Sequence, residues 1–327
     1  MNNSSKIIIL FIIIFNLISI HKYLSILRYK IPKNKYRKEK VNKEKKPNIY
    51  SSNSKETNHS YCKCNSFPET INVRIIHFIL TRFMYNFVFT NGFPKKLYNE
   101  DYILNGIRVI KKYLFPSLDN QSCKNFTWIL IVGDKANITY IKSLLSFNTS
   151  FEKEIIYCKD LKNYVRKKAR GFDILITTRI DYDDRIYYDA VNDVRKAINV
   201  NRPILLYGYN KGLLYYESNN KYYDFDKTMM KNGIWSVFIS LIVNLNIAND
   251  TFIVHDLGNH VCIRKTLQEK YKSYGIKEIN YEPTIIDNGI PKFIYVRQKY
   301  SGLYDPKIPR YKRINISNFY LSKFYGI

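Results

Sequence analysis

The chain has 327 residues, with 53 Lys or Arg against 27 Asp or Glu, a formal net charge of +26 and 46% hydrophobic residues. That apolar content is enough for a real core, and the length fits one large α/β domain with appendages. The positive balance favours polyanions, but no zinc finger, recognition helix or glycine-aromatic RNA motif accompanies it, so nucleic acid is not an expected partner.

In chain order, residues 1–6 are a short tail. Ile7 to Ile20 is apolar apart from Asn16 and Ser19, and the run extends through Tyr23-Leu24-Ser25-Ile26-Leu27, reaching the ~20 residues that a spanning helix needs. No small-residue cleavage signal follows, so 7–27 reads as a retained single-pass membrane anchor rather than a removed leader. From Lys22 to Lys46, eleven Lys or Arg stand against only Glu39 and Glu44, and Ser-, Asn- and Lys-rich sequence continues to about Thr70. Residues 28–70 therefore read as a basic, disordered stem.

Two signals oppose each other on membrane orientation. The positive-inside tendency places the basic stem in the cytoplasm, since only Lys6 lies on the amino-terminal side. Sequons at Asn58, Asn120, Asn125, Asn137, Asn148, Asn249 and Asn315 fit a lumenal domain, although an asparagine-rich chain generates sequons by chance. The five cysteines, Cys62, Cys64, Cys123, Cys158 and Cys262, are odd in number and lack zinc-like spacing. They read as scattered thiols, with one disulfide allowed if the domain is lumenal.

The globular part is expected at 71–300, with 301–327 as a tail. Its apolar periodicity predicts a strand at Val73 to Leu80, a helix from Asp101 to Leu114, a strand at Trp128 to Val132 and a helix from Ile138 to Leu145. A short strand at Glu154 to Tyr157, a helix over Leu161 to Ala169 and a strand at Ile174 to Thr178 follow. This alternation implies a mostly parallel sheet with helices on both faces. Next come a helix over Arg185 to Ile198, a strand at Pro203 to Tyr209, and a hairpin, Gly212 to Glu217 and Lys221 to Phe225, around an Asn219-Asn220 turn. Ile234 to Leu245 fits either helix or strand. Thr251 to His255 and Lys292 to Arg297 read as further strands.

The sequence concentrates its chemistry in Thr177-Thr178-Arg179-Ile180-Asp181-Tyr182-Asp183-Asp184, directly after the apolar run 172–176. Adjacent carboxylates repel and raise each other's pKa, so a site that keeps them ionised usually supplies a cation. Hard oxygen ligands suit Mg2+ or Mn2+, which take one or two carboxylates and let substrate phosphates complete the shell. The carboxyl ends of strands in open α/β sheets are also where nucleotides bind. The plainer alternative is that Asp183 or Asp184 caps the next helix, a role needing one acidic residue rather than three.

The run Asp173 to Asp184 resembles the aspartate motif of glycosyltransferases with the GT-A fold, and more closely that of the rhamnosyl transferase family, with Ile180 replacing a leucine. His77-Phe78-Ile79-Leu80-Thr81-Arg82-Phe83 resembles that family's first strand. Leu114-Phe115-Pro116-Ser117-Leu118-Asp119-Asn120-Gln121-Ser122, followed by Phe126-Thr127-Trp128-Ile129-Leu130, resembles its block before the second strand. The similarity spans roughly 72–298. It departs from the family near the end, where Pro291 to Gln298 keeps a strand-like run but lacks the histidine of a Val-x-His pattern.

The resemblance implies a GT-A-like mixed sheet flanked by helices, and a metal-dependent transfer of sugar from a nucleotide-sugar donor to a glycan, glycoprotein or lipid-linked acceptor. It maps metal ligation onto Asp183 first, with Asp181 touching ribose or a metal-bound water and Asp184 in support. Arg82 and Arg179 are candidates for the nucleotide phosphates. His260, ahead of His255, is the candidate late histidine for the metal or acceptor. A general base must be a carboxylate or histidine near the acceptor hydroxyl, and Asp256, Glu217 and Asp224 all qualify. A basic nucleic-acid binder, a catalytically silent membrane protein and a metal-dependent phosphohydrolase are the competing readings.

Overall fold

The computed structural model describes residues 73–83, 99–209, 211–226, 238–248, 251–257, 266, 269, 284–285, 291–297, 313–314 and 317–325. All lie in the second of two compact units, 58–327. The expected anchor at 7–27 and stem at 28–70 fall outside the described residues. Among those described, no helix is long and apolar enough to cross a membrane.

A seven-stranded sheet forms the centre. Strands β1 (Ile75–Arg82), β2 (Thr127–Val132), β3 (Glu152–Tyr157) and β4 (Ile174–Asp181) run parallel, in the spatial order β3-β2-β1-β4. The chain thus builds outward from β1 to β3 and then returns to lay β4 on the other side of β1. That reversal makes the carboxyl ends of β1 and β4 a topological switch point, the position of the ligand crevice in open α/β sheets. Beyond β4 lie β9 (Ile239–Asn244), antiparallel to both its neighbours, then β6 (Ile204–Gly208) and the short β10 (Thr284–Ile285).

Helices cover both faces, as strands buried on two sides require. On one face, α1 (Glu100–Val109) starts at Asn99, whose side chain accepts from the Asp101 amide at 2.8 Å, and carries Glu100 and Asp101 in its first turn. It runs through a π turn, Ile110–Leu114, into α2 (Phe115–Asp119). Helix α3 (Ile138–Leu144) and α5 (Ala190–Lys196) complete this layer. The opposite face packs α4 (Cys158–Lys168) and α6 (Leu245–Ala248) over Phe78, Leu80, Ile129, Leu175 and Leu241.

A second sheet, in the order β12-β8-β7-β11-β5, joins the first layer. It contains β5 (Arg185–Ile186), the hairpin β7 (Lys211–Tyr216) and β8 (Lys221–Asp226), β11 (Phe293–Arg297) and β12 (Arg313–Ile314). Gly212 is required by this packing, because a Cβ there would stand 2.2 Å from the Phe293 ring. The segment expected as a tail contributes β12 and α7 (Asn318–Tyr325), whose Phe324 is fully buried.

One expectation left open is resolved and three are corrected. Ile234 to Leu245, open between helix and strand, yields β9, because Ile239, Leu241 and Val243 pack on one face while Ile242 packs on the other. Thr251 to His255 is not a strand: Val254–Leu257 is a 3-10 turn, with the Val254 amide donating to Thr177 Oγ1 at 2.9 Å. The helix expected from Arg185 starts at Ala190, because Arg185 and Ile186 are drawn into pairing with Ile294 and Phe293. The helix expected from Leu161 begins earlier, at Cys158.

One polar chain crosses the core. His77 on β1, Thr178 on β4 and Ser240 on β9 point to the same face, with Nε2 to Oγ1 at 2.8 Å and Oγ1 to Oγ at 2.6 Å. Burial, with the nearby Arg195 charge, drives the His77 pKa down to about 3, so the ring is neutral in the fold. Because the folded pKa lies below the unfolded one, the unfolded chain takes up the proton first as pH falls. His77 stabilisation is complete above about pH 6.5 and is lost progressively toward about pH 3. Chemical denaturation of wild type and His77→Gln across that window is expected to show a steeper pH slope in wild type, and parallel slopes would refute it. Gly212→Ala is expected to cost about 1–3 kcal/mol in the same assay through overpacking against Phe293.

Candidate functional site

The acidic run sits at the carboxyl end of β4, where the chain passes from the first sheet to the second. The Asp184 amide donates to the Asp181 carbonyl at 3.2 Å, closing a tight turn over Asp181-Tyr182-Asp183-Asp184, and β5 follows at once. The helix beyond has Asp189 at its N-cap position, so neither Asp183 nor Asp184 serves as its cap. The alternative that explained the cluster as helix capping does not hold.

Register brings the first charge partner. Arg82 and Asp181 are paired positions on neighbouring parallel strands, so their side chains leave the same face side by side. Arg82 donates twice to Asp181 Oδ1, from one terminal guanidinium nitrogen at 2.8 Å and from Nε at 3.3 Å, with both side chains about one-fifth to one-quarter exposed (19% and 26%). Arg179, two residues earlier on that face, is 1% exposed, with Nε 3.9 Å from the same oxygen. Burial pulls its pKa down to about 10, opposed by Asp181 and Asp184, and it stays cationic near neutrality. Arg179 thus acts from inside the protein as a countercharge, while Arg82 stands at the end of β1.

The other two carboxylates are turned inward: Asp183 is 7% exposed and Asp184 is fully buried. Asp184 Oδ1 accepts from the Val296 amide at 3.1 Å, which ties the turn to β11, while Oδ2 has no hydrogen-bond partner among the described residues. Burial, reinforced by the charges of Asp183 and Asp181, raises the Asp184 pKa well above the ordinary carboxylate value. Tyr182 projects the opposite way, edge-on to Phe83 at 5.7 Å and hydrogen-bonded to Tyr102. Phe83 in turn lies against Gly106, where a Cβ would meet its ring at 2.3 Å.

The segment after the turn is braced by the 114–122 block, a role the sequence alone did not reveal. Gln121, 2% exposed, donates to the carbonyls of Ser117 and Tyr187, both at 2.8 Å, and accepts from the Val191 amide at 3.1 Å. Ser122 Oγ donates to Asp189 at 2.5 Å, and the Ser122 amide donates to the Tyr188 carbonyl at 2.7 Å. Two of the three hydrogen bonds of the Gln121 amide thereby hold 187–191, and the third ties it back to Ser117. The conformational signal was available in the Pro116-Ser117 pair at a helix start and a glutamine just past its end, but the long-range partners were not.

The remaining sequence candidates are spread out. Glu217 ends β7 and receives Lys112 Nζ at 2.6 Å and the Tyr113 hydroxyl at 2.5 Å. Burial alone would raise its pKa, but those two hydrogen bonds outweigh it and leave the carboxyl below its usual value, which weakens it as a base. Asp224 lies on β8, paired in register with Leu213. Asp256 sits in the 3-10 turn with Lys162 at 3.6 Å, next to the segment docked on Thr177 and so over the face that carries Arg179 and Asp181. His255 is buried in the same turn. His260 lies outside the described residues.

Mg2+ or Mn2+ needs only one or two protein carboxylates when phosphates supply the rest. The buried Asp184 Oδ2 and the poorly exposed Asp183 fit that demand for anionic oxygen, and Asp181 shares its charge with Arg82. Among the described residues, no three His, Cys, Asp or Glu side chains form a ready-made metal cage. A metal held here would depend on oxygens brought by a ligand. Two clefts, of about 460 and 260 Å3, lie elsewhere, beside 75–77, 124–127 and 149–152, and beside Trp128 and Lys153.

No family model matches the chain, and no curated protein matches it. Among solved structures it is similar to the inositol-1-phosphate CTP transferase from T. maritima, at 12% identity with a TM-score of 0.29, over 68% of this chain and 85% of that one. At that TM-score the likeness carries no argument about function.

The raised pKa of Asp184 has a signed consequence. A group whose folded pKa exceeds its unfolded value stabilises fully below the unfolded pKa, about 3.9, and loses that contribution as pH rises through the folded value. Asp184→Asn keeps an acceptor for the Val296 amide and removes the titration. Relative to wild type, the variant is expected to gain stability as pH rises above about 4 in urea titrations, and a pH-independent difference would refute the assignment.

Proposed function

We propose that this chain is a metal-dependent glycosyltransferase of GT-A layout that moves a sugar from a nucleotide-sugar donor to a hydroxyl acceptor on a glycan, glycoprotein or lipid carrier. The observation that carries the reading is the turn Asp181–Asp184, with three carboxylates at the carboxyl end of β4, beside Arg82 at the end of β1, at the switch point where the strand order reverses. Position in an open sheet, anionic oxygen and an arginine fork converge there on one ligand chemistry, a diphosphate.

In this reading Asp183 is the principal metal ligand, Asp181 contributes to the metal or the ribose, and Asp184 fixes the turn through the Val296 amide. Arg82 exchanges part of its hold on Asp181 for a phosphate oxygen, a trade its bidentate geometry permits. A bound Mn2+ or Mg2+ would neutralise the charge developing on the departing nucleoside diphosphate. Asp256 is preferred over Glu217 and Asp224 as the acceptor base, since it shares the face of Arg179 and Asp181, whereas Glu217 is held ionised by Lys112 and Tyr113. Residues 7–27 would anchor the domain to a membrane.

Full-length protein in detergent, titrated with a panel of nucleotide sugars in the presence of Mn2+, is expected to bind and turn over one donor selectively. Asp183→Asn is expected to lower metal-dependent donor affinity at least 100-fold with an unchanged melting profile in the absence of donor. Donor affinity that survives the substitution, or indiscriminate phosphate release from every donor, would sink the proposal, the second outcome pointing to a phosphohydrolase.

A further inference from the structure

The sequence sets a basic stem against a set of sequons on the question of which side of a membrane the domain occupies. Two structural observations, both independent of the glycosyltransferase reading, bear on it. Cys123, 1% exposed in the layer between β2 and α2, is disulfide-bonded. Disulfides persist where the surroundings are oxidising and are rare where glutathione keeps thiols reduced. A buried one is a structural fixture rather than a redox site.

The sequons also divide by environment. N-linked sugar is joined to the side-chain nitrogen of Asn in Asn-x-Ser/Thr, so that nitrogen needs an open path to solvent. Asn120 fails this test, because its Nδ2 donates to the carbonyls of Lys323 at 3.3 Å and Ser322 at 3.5 Å and so pins α7 to the domain. Asn125 is exposed, but its sequon threonine, Thr127, is 7% exposed and gives its hydroxyl to Glu152 at 2.6 Å. Asn137 is exposed and caps α3 through Oδ1, which accepts from the Tyr140 amide at 3.0 Å, so its nitrogen is not used by the cap. Asn148 is exposed in the loop between α3 and β3, with Ser150 two residues on; the Ser150 hydroxyl donates to Asp119 at 2.6 Å but, unlike buried Thr127, lies at the surface.

We propose that this domain matures in an oxidising secretory compartment and carries N-linked glycans at Asn137 and Asn148 and none at Asn120. The two exposed acceptors flank α3, one at each end. The placement also means that the basic stem stands on the side opposite to the one charge counting favours. The disulfide at Cys123 is set above that tendency, because disulfides are rare where thiols are kept reduced.

The test uses the full chain purified from the membranes of a eukaryotic host. Enzymatic deglycosylation in 18O water followed by peptide mass spectrometry is expected to convert Asn137 and Asn148 to labelled Asp and to leave Asn120 unchanged. Alkylation before and after reduction is expected to label Cys123 only after reduction. Asn148→Gln, an exposed loop change that leaves the fold intact, is expected to remove one glycan step from the gel mobility shift. Unconverted Asn137 and Asn148, or Cys123 alkylated without reduction, would overturn the placement, and conversion at Asn120 would overturn the selection among sequons.

Discussion

Three carboxylates in four residues, two of them almost out of water, are the constraint around which the rest of this domain is arranged. Burying an ionised carboxylate costs several kcal/mol even after local relaxation, and two acidic neighbours add repulsion. The fold offsets this in graded ways along the turn. Asp181 receives two N–H groups of Arg82 and the nearby Arg179 charge. Asp184 receives one backbone amide from β11, its other oxygen has no hydrogen-bond partner among the described residues, and burial with the neighbouring acidic charges raises its pKa. Electrostatic strain is therefore concentrated at the inner end of the turn, and counterion relief at the outer end. In the proposed reading, a divalent cation held by Asp183 would add positive charge beside that strain.

Such a turn holds its geometry only if the chain on both sides is fixed. Before it, β4 is locked between β1 and β9, with the His77-Thr178-Ser240 chain threading all three strands. After it, β5 pairs with β11, and the Gln121 amide clamps 187–191 through two hydrogen bonds, to the Tyr187 carbonyl and from the Val191 amide. Asn120, next to Gln121, fastens α7 by the same kind of contact. Charge-free side-chain amides suit this duty, since each supplies donors and an acceptor without a desolvated charge. The block 114–122 is thus a bracket for the segment that follows the acidic turn, with Gln121 reaching partners 66 and 70 residues further along the chain.

Much of this architecture was legible from residue order. Alternating helix and strand signals from Val73 to Thr178 gave the parallel half, and the Asn219-Asn220 pair marked the hairpin, where Asn220 adopts φ 52°. The acidic cluster announced itself because three carboxylates exceed what a cap needs. What stayed hidden depended on partners far along the chain. Ile234 to Leu245 lacks a period because β9 is buried on both faces, and a continuous apolar run carries no signature of its own. Arg185 and Ile186 look helical until β11 is present to pair with them. Arg179 looked like a phosphate contact, and only the fold shows that its guanidinium is sealed beneath Asp181.

That sealing bears on how the crevice would work. A surface arginine must shed water and fix its rotamers before it can balance a developing charge, whereas Arg179 is already desolvated and oriented, its cost absorbed in folding. Arg82, partly exposed and bound to the same oxygen, remains able to move. If Arg82 swings to a ligand, Asp181 keeps a second cation 3.9 Å away and is not stranded as an unpaired buried anion. In the proposed reading, the pairing of one buried and one partly exposed arginine on a single carboxylate would let Arg82 turn toward a ligand while Asp181 keeps a countercharge. It would place the adjustable part at the mouth of the crevice and the invariant part beneath it.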